Sequence, residues 1–272
     1  MLSSVSLNHL VQSSLSEFQP SPVIAALQTA FEQGSEELRA IENSFLQASE
    51  EMSPEFAPYF FHSWSMTNHS AMAVSALGNK ISRTLMSGNL ADPSSMVQSL
   101  GYLHRISDED LGATGGVLHQ DLFYDMAQVF CGDDLWQSRK YAVKEAKEFK
   151  EYRLKNVVHT QDQLHGLLVT AVHEIYTHAE VEFILPLFRD AALKMGLKGP
   201  KASRAVAWIK VHCNGVERDH FHHALNAIQH WLQAMDVDLG TYDMEGIFRT
   251  YLGQKSRVMS SLSDMMRQKV GA

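Results

Sequence analysis

Proline occurs at only seven of the 272 positions of this chain, and long runs of Ala, Leu, Met, Glu, Gln and Lys lie between the prolines. Proline breaks helices, whereas these other residues lose little side-chain freedom in a helix. The sequence therefore predicts an all-α protein. A chain of this length can bury a complete core, and no internal repeat or flexible linker divides it. We expect one helical domain over residues 1–272.

The apolar pattern locates the main segments of this domain. Residues 1–19 are rich in Ser and are expected to form a loosely packed lead-in. Apolar residues recur at helical spacing after Pro22, and two long helices are predicted over 160–195 and 204–236. Both lie within residues 95–235, which we interpret as the functional core.

Charge and cysteine content limit the possible partners. The net charge of −8 and the pI near 5.9 provide no basic surface for nucleic acid or for an anionic membrane. No segment approaches the roughly 20 apolar residues of a membrane span, and the N-terminal sequence does not resemble a signal peptide. Cys131 and Cys213 are too few for a disulfide framework. We expect a cytoplasmic protein that binds neither nucleic acid nor a membrane.

The predicted helix 204–236 carries carboxylates and histidines at the spacings of metal ligands. Glu217 and His220 are three residues apart, so their side chains lie about 60° apart around an ideal helix and can share a metal ion. His212 precedes Glu217 by five residues and joins this face if the helix contains a π-bulge, for which Gly215 is the candidate position.

A second register in the same helix needs no bulge. His212, Asp219 and His223 are spaced by seven and then four residues, which places them on one face of a regular helix. A His-rich surface turn without a metal would also explain the pattern. The residues alone leave the two registers open.

The predicted helix 160–195 offers three carboxylates. Glu182 continues an apolar stripe that includes Ile175 and Leu185, and Glu180 shares a face with Ile184, so both are expected to point inward. A buried carboxylate without a partner is costly, and metal coordination is one remedy. Glu174 is interpreted as an outer or surface group.

A third segment, SDEDLGATGGVLHQDLFYD, supplies His119 together with either Glu109 or Asp110. The combined set is three carboxylates and three imidazoles, with almost no thiolates. Mixed nitrogen and oxygen ligation of this kind suits iron and dioxygen better than zinc.

These segments resemble the haem-oxygenase-like di-iron oxidases and oxygenases, a group that includes the CADD-like proteins. The similarity covers about residues 95–235 and is carried by GVLHQDLFYDM, EFILPLF and HCNGVERDHFHHAL. It favours the register of His212, Glu217 and His220, with Glu182 as the bridging carboxylate. The chain departs from the family at Cys213, where the family has its His, and at Gly112, where the family has a Glu.

The resemblance implies a bundle of about seven core helices, here with extra N-terminal helices, that binds two Fe(II) ions per chain. The implied activity is the O₂-dependent oxidation of a small molecule, such as an amino acid or its derivative, by N-oxygenation, desaturation or C–C cleavage. A set of aromatic residues is implied to line the substrate cavity: Phe123, Tyr124, Tyr176, Phe183 and Trp208.

Two other functions compete with this interpretation. One is a metal-free protein of the same fold that binds a small ligand or a partner. The other is a metal-free hydrolase resembling thiaminase II, which would need a nucleophilic Cys. A homodimer is the expected assembly for a bundle of this size.

Overall fold

The structure is a computed structural model that describes residues 5–68, 70–113 and 116–270. Most of these residues lie in α-helices, which are numbered in chain order. The first six are α1 (Leu7–Ser16), α2 (Pro22–Gln33), α3 (Ser35–Glu51), α4 (Ala57–Ser65), α5 (Ala71–Ser87) and α6 (Pro93–Asp110). The others are α7 (His119–Cys131), α8 (Lys144–Arg153), α9 (Gln163–Lys194), α10 (Pro200–Arg204), α11 (Ala207–His212), α12 (Val216–Met235) and α13 (Met244–Val270). The described residues contain no β-strand, which confirms the predicted all-α fold.

Short helical turns complete the connections. Three are 3₁₀ turns, at Leu135–Gln137, Arg139–Tyr141 and Leu239–Thr241. A π-helical turn, Leu154–Val158, directly follows α8.

Helix α9 runs through the middle of the bundle. Its side chains are buried on every side over most of its length, and α1, α3, α5, α11, α12 and α13 all pack against it. A helix surrounded by other helices has to be apolar around its whole circumference. Consequently, any polar side chain in the middle of α9 faces the protein interior.

Residues 7–16 of the predicted lead-in 1–19 form helix α1 instead of a loosely packed segment, and residues 1–4 lie outside the part of the chain that the structure describes. Ser6 caps α1 by accepting a hydrogen bond from the backbone N–H of His9. Leu7, Val11 and Leu15 are four residues apart, are fully buried, and form the face that packs on α9. The Ser-rich composition concealed this short apolar stripe.

The predicted helix 204–236 is divided into α11 and α12, and its first residue, Arg204, ends α10. The backbone is extended at Cys213 and then adopts left-handed φ values of 60° at Asn214 and 92° at Gly215. The prediction of a π-bulge at Gly215 was therefore wrong, because the helix ends and restarts there. The break places His212 at the end of α11 and Glu217 in the first turn of α12.

The outer helices close the bundle around this core. Helices α5, α6 and α12 pack side by side, and α13 lies across α2, α3 and α9. None of the described helices is both long enough and apolar enough to cross a bilayer.

The packing of α1 predicts a cost for its removal. Leu15→Ala leaves a cavity against α9, so the free energy of unfolding should fall by about 2–5 kcal/mol in urea titrations. Met86→Ala is the control, because Met86 is 77% exposed and its truncation should change stability by less than about 0.5 kcal/mol. Equal, small effects of both substitutions would show that α1 does not belong to the cooperative core.

Candidate metal centre

Carboxylates and imidazoles converge where four helix ends meet. Asp110 is the last residue of α6, His119 is the first of α7, and His212 is the last of α11. Glu217 and His220 occupy the start of α12. All five side chains are buried, so the break between α11 and α12 brings the predicted ligands together inside the protein.

The first group of ligands consists of Asp110, His119 and His212. Nδ1 of His119 lies 3.0 Å from Oδ1 of Asp110 and 3.0 Å from Nε2 of His212. Nδ1 of His212 donates to the carbonyl of Trp208 at 2.6 Å, which leaves Nε2 as the unprotonated nitrogen. Two acceptors, Oδ1 of Asp110 and Nε2 of His212, therefore compete for the single N–H that Nδ1 of His119 can donate. Such an excess of acceptors is typical of side chains that surround a cation.

The second group consists of Asp110, Glu217 and His220. The ligand atoms within each group lie within 4.8 Å of one another, and Asp110 belongs to both groups. Oε1 of Glu217 is 3.6 Å from Nε2 of His212, and its Oε2 is 3.6 Å from Nδ1 of His220. The two groups are therefore adjacent and share a carboxylate.

Glu174, in the middle of α9, faces this second group. It is 1% exposed, its Oε2 lies 3.8 Å from Nδ1 of His220, and its Oε1 has no hydrogen-bond partner. Nδ1 of His220 also lacks a hydrogen bond. Of the two interpretations given to Glu174, that of a surface group was wrong, whereas a position outside the ligand groups but next to them agrees with the structure. Its position between buried Val172 and Ile175 in an apolar helix was the sequence signal that could have identified it.

The charges in the centre influence one another. Burial and the charge of Glu217 raise the pKa of Glu174 well above its usual range. Burial opposes protonation of His220, but the charge of Glu217 and a hydrogen bond with Glu109 raise its pKa well above the usual value. Burial also acts to raise the pKa of Asp110, yet the hydrogen bond from His119 and the nearby histidines lower it. Clustered buried carboxylates require protons or cations for balance.

The donor set could hold a metal ion. It consists of carboxylate oxygens and imidazole nitrogens, it includes no cysteine, and buried atoms of Glu174 and His220 beside it lack hydrogen-bond partners, which is compatible with an ion that prefers oxygen and nitrogen ligands. In a dinuclear site, Asp110 would be a ligand of both metal ions.

Glu109 lies at the rim of the centre. Its side chain is 48% exposed, and its Oε2 accepts from Nε2 of His220 at 3.2 Å. The sequence left Glu109 and Asp110 as alternatives, and the structure brings both near the site with Asp110 inside. Ser70 donates to Oδ2 of Asp110 at 3.0 Å and holds that carboxylate in place.

Glu180 does not belong to the centre, contrary to the prediction. Its carboxylate forms a buried ion pair with Nζ of Lys255 at 2.9 Å. It also accepts hydrogen bonds from Nε1 of Trp64, at 2.9 Å, and from the Tyr176 hydroxyl. The inward direction of Glu180 was predicted correctly, but its partner comes from α13 rather than from a metal.

Glu182 is also absent from the ligand groups. It is half-buried and accepts from the backbone N–H of Asn214 at 2.8 Å, so it holds the turn between α11 and α12. The alternative register fails as well. Asp219 is exposed, and His223 packs beside the ring of Tyr102 at 5.7 Å.

Gly112 occupies the position at which the resembled family has a Glu, and its conformation disfavours a larger residue. Its φ is +65°, and a Cβ there would lie 3.0 Å from backbone atoms of Gly116 and Val117. A Glu at this position would therefore strain the turn that links α6 to α7. Asp110, two residues earlier, supplies the carboxylate instead.

A cavity of about 180 Å³ opens beside both groups. Three of the predicted aromatic residues line it, namely Phe123, Tyr124 and Trp208. Tyr176 and Phe183 do not. Besides the predicted ligands Asp110, His119, His212 and Glu217, the polar lining includes His173 and five side chains that the sequence analysis did not identify: Ser65, Asn68, Ser70, Gln120 and Thr177.

The chain matches no protein-family model and no curated protein. Among solved structures, it is similar to a TenA homolog from Pseudomonas syringae pv. tomato str. DC3000. The TM-score is 0.62, the sequence identity is 12%, and the alignment covers 92% of this chain and 99% of the other. At this identity the likeness shows a shared all-α fold and nothing about the site.

The Glu180–Lys255 pair predicts a stability effect separate from the centre. Lys255→Met leaves a buried carboxylate without its cation, so the free energy of unfolding should fall by about 3–5 kcal/mol. Adding Glu180→Leu should recover most of this loss. Urea unfolding measures both effects, and a neutral single substitution would contradict the buried ion pair.

Proposed function

We propose that this protein is a non-haem oxidoreductase that binds two iron ions and uses O₂ to oxidise a small molecule. The observation that carries the proposal is the pair of buried ligand groups that share Asp110. Carboxylate-bridged iron sites in helical bundles are built from Glu and Glu-x-x-His side chains that project inward. Glu217 and His220 form such a pair, and Glu174 comes from a neighbouring helix.

The residues divide into two ligand sets. Asp110, His119 and His212 would hold one ion, and Asp110, Glu217 and His220 would hold the other, with Glu174 beside it. Iron held by these residues as Fe(II) would supply electrons for the reduction of O₂.

The surrounding side chains orient the ligands. The carbonyl of Trp208 fixes the tautomer of His212, so that Nε2 faces the centre. The Ser70 hydroxyl donates a hydrogen bond to Oδ2 of Asp110 and so fixes the orientation of this carboxylate. Burial favours the protonated form of Glu174, and its unpartnered Oε1 is an atom that can hold a proton next to the reacting groups.

The cavity indicates the size of the substrate. A cavity of about 180 Å³ favours a small substrate over a large one. Phe123 and Trp208 form apolar walls that exclude water. Nδ2 of Asn68 has no hydrogen-bond partner and can donate to a substrate carboxylate. These features support a small amino acid or amino-acid derivative, oxidised by N-oxygenation, desaturation or C–C cleavage.

The hydrolase alternative lacks support from the cysteines. Burial raises the pKa of both the Cys131 and the Cys213 thiol to about 12, and neither residue lines the cavity. A thiol with such a pKa is a poor nucleophile near neutral pH. The metal-free binding protein remains the alternative that iron content can test.

Anaerobic titration with Fe(II) tests the ligand assignment. Wild-type protein should bind about two iron ions per chain, and His220→Ala should retain about one, because this substitution removes a donor from the second group only. Iron is quantified after removal of unbound metal.

Asp219→Ala is the matched control, since this exposed carboxylate lies outside both groups. This variant should bind as much iron as the wild type. A wild-type protein that binds no iron would refute the proposal and leave the metal-free binding protein.

Oxygen uptake tests the chemistry. Protein loaded with Fe(II) should consume O₂ faster than the same concentration of free Fe(II) in an oxygen-electrode assay. His212→Ala should lose this excess rate by at least about tenfold, since outer contacts to metal ligands alone are worth that much. Equal rates for wild type, variant and free Fe(II) would show that the bound ions do not activate O₂.

A further inference from the structure

A second cavity, of about 630 Å³, adjoins the cavity of the metal centre. Ser65 and Tyr124 line both of them, so the two spaces are neighbours. The wall of the second cavity comes from α4, α7, α8 and the 3₁₀ turns between α7 and α8. Three exposed cationic side chains line it, namely Arg139, Lys147 and Lys150, and we therefore call it the basic cavity.

The cationic side chains of the basic cavity are not neutralised by the protein. None of the three forms an ion pair or a side-chain hydrogen bond with another residue in the described part of the chain. The neighbouring Glu148 pairs instead with Lys144, at 3.4 Å, and with Arg257, at 2.5 Å. Glu151 is the one acidic residue in the described lining, so the wall carries an excess of positive charge.

His62, in the same wall, indicates that two of these cations act at one place. Burial lowers the pKa of His62, a hydrogen bond with the backbone of Trp136 opposes this change, and the charges of Lys147 and Lys150 lower the pKa further. The two lysines are three residues apart on α8 and therefore project to the same side. The whole chain has a net charge of −8, so this positive region is local and acts within about 8 Å at physiological salt.

The remainder of the wall is largely apolar. Met66, Tyr124, Trp136 and Leu154 line it, and the rings of Tyr124 and Trp136 pack edge to face with their centroids 5.4 Å apart. An inorganic ion would leave this surface in contact with water. Cations without partners beside an apolar wall match an organic anion with an apolar body.

We propose that the basic cavity binds a small organic anion that carries two negative charges and an apolar body. Arg139 presents the planar donor pair that carboxylates and phosphates accept, and Lys147 and Lys150 add compact positive charges. The body of the ligand lies against Tyr124 and Trp136. Such a ligand lies next to the metal-centre cavity, so the site is placed to hold the charged end of a substrate whose other end enters that cavity. This role as a substrate site rests on the proposed function, whereas the binding of the anion does not.

The binding is tested by isothermal titration calorimetry on full-length protein treated with a chelator. The probe is phenyl phosphate at about pH 8, where its phosphate is a dianion. Phenyl phosphate should bind one site per chain at least about tenfold more tightly than benzyl alcohol, because only the dianion pairs with the cations. Raising the salt concentration from about 0.05 M to about 0.3 M should weaken the binding of phenyl phosphate and not that of benzyl alcohol.

Phthalate, an aromatic dianion with two carboxylates, shows which charged group the site prefers. Tighter binding of either dianion than of benzyl alcohol supports the proposal, and equal affinities of all three compounds would overturn it. Inorganic phosphate should bind more weakly than phenyl phosphate, because it cannot cover the apolar wall. Inorganic phosphate that binds as tightly as phenyl phosphate would contradict the proposed apolar body.

Variants locate the binding. Lys147→Met and Lys150→Met should each weaken phenyl phosphate binding by about threefold, and the double variant by about tenfold, since exposed charge pairs contribute modestly one by one. Both lysines are exposed, so their removal should leave the fold intact. Lys155→Met is the matched control, because Lys155 is an exposed lysine outside the lining and its removal changes the net charge by the same amount. An unchanged affinity of the double variant would place the site elsewhere and refute the proposal.

Glu151→Gln provides a change of the opposite sign. It removes the negative charge from the lining, so it should tighten the binding of phenyl phosphate by about twofold or more. Damage to the fold would weaken the binding instead, and weaker or unchanged binding would contradict the proposal. Because the protein is free of metal in these experiments, the two proposals fail separately. A chain that binds iron but no dianion refutes this inference alone, and a chain that binds the dianion but no iron refutes the proposed function alone.

Discussion

The repulsion among three buried carboxylates is the constraint on which this structure depends. Asp110, Glu174 and Glu217 approach one another where water cannot screen them, and a fold that keeps them there must supply compensating charge. The imidazoles of His119, His212 and His220 surround the group and provide nitrogen lone pairs or protons. The helices α6, α7, α11 and α12 all present an end to this point, so short connections rather than helix faces determine which side chains meet.

The part of this arrangement that follows local spacing could be predicted from the sequence. Glu217 and His220 are three residues apart in one helix, and His119 follows Asp110 across a short turn, so both pairs were predicted as ligands from spacing. The structure brings His212, Glu217 and His220 close together and leaves Asp219 and His223 apart from them, but it does so through a break in the backbone at residues 213–215 rather than through a π-bulge. Backbone conformation in such a turn depends on tertiary contacts that periodicity does not reveal.

The errors in helix 160–195 have a common origin. The sequence analysis inferred which side chains point inward from a contrast between an apolar and a polar face. Helix α9 has almost no solvent-facing side, because other helices surround it, so this contrast is missing. Glu174, Glu180 and Glu182 could not be ranked by direction, since the decision depended on partners distant in sequence. Glu180 pairs with Lys255 and accepts a hydrogen bond from Trp64, and Glu182 accepts one from the backbone of Asn214. Of the three carboxylates, only Glu174 faces the histidines. The prediction that residues 1–19 are loosely packed was wrong for a related reason. Three apolar residues in α1 are too few to predict a buried helix, and their burial depends on packing against α9.

The ion pair between Lys255 and Glu180 has a consequence for how the protein is made. Lys255 lies on the last helix, whereas Glu180 lies on the central helix that also carries Glu174. During synthesis, residues 95–235 leave the ribosome before this lysine does, and until then Glu180 has no cation to accompany it into the interior. We therefore expect residues 95–235 to be less stable without α13 than with it. The side chains around Asp110 should reach their final arrangement only after α13 has been synthesised and has packed against α9.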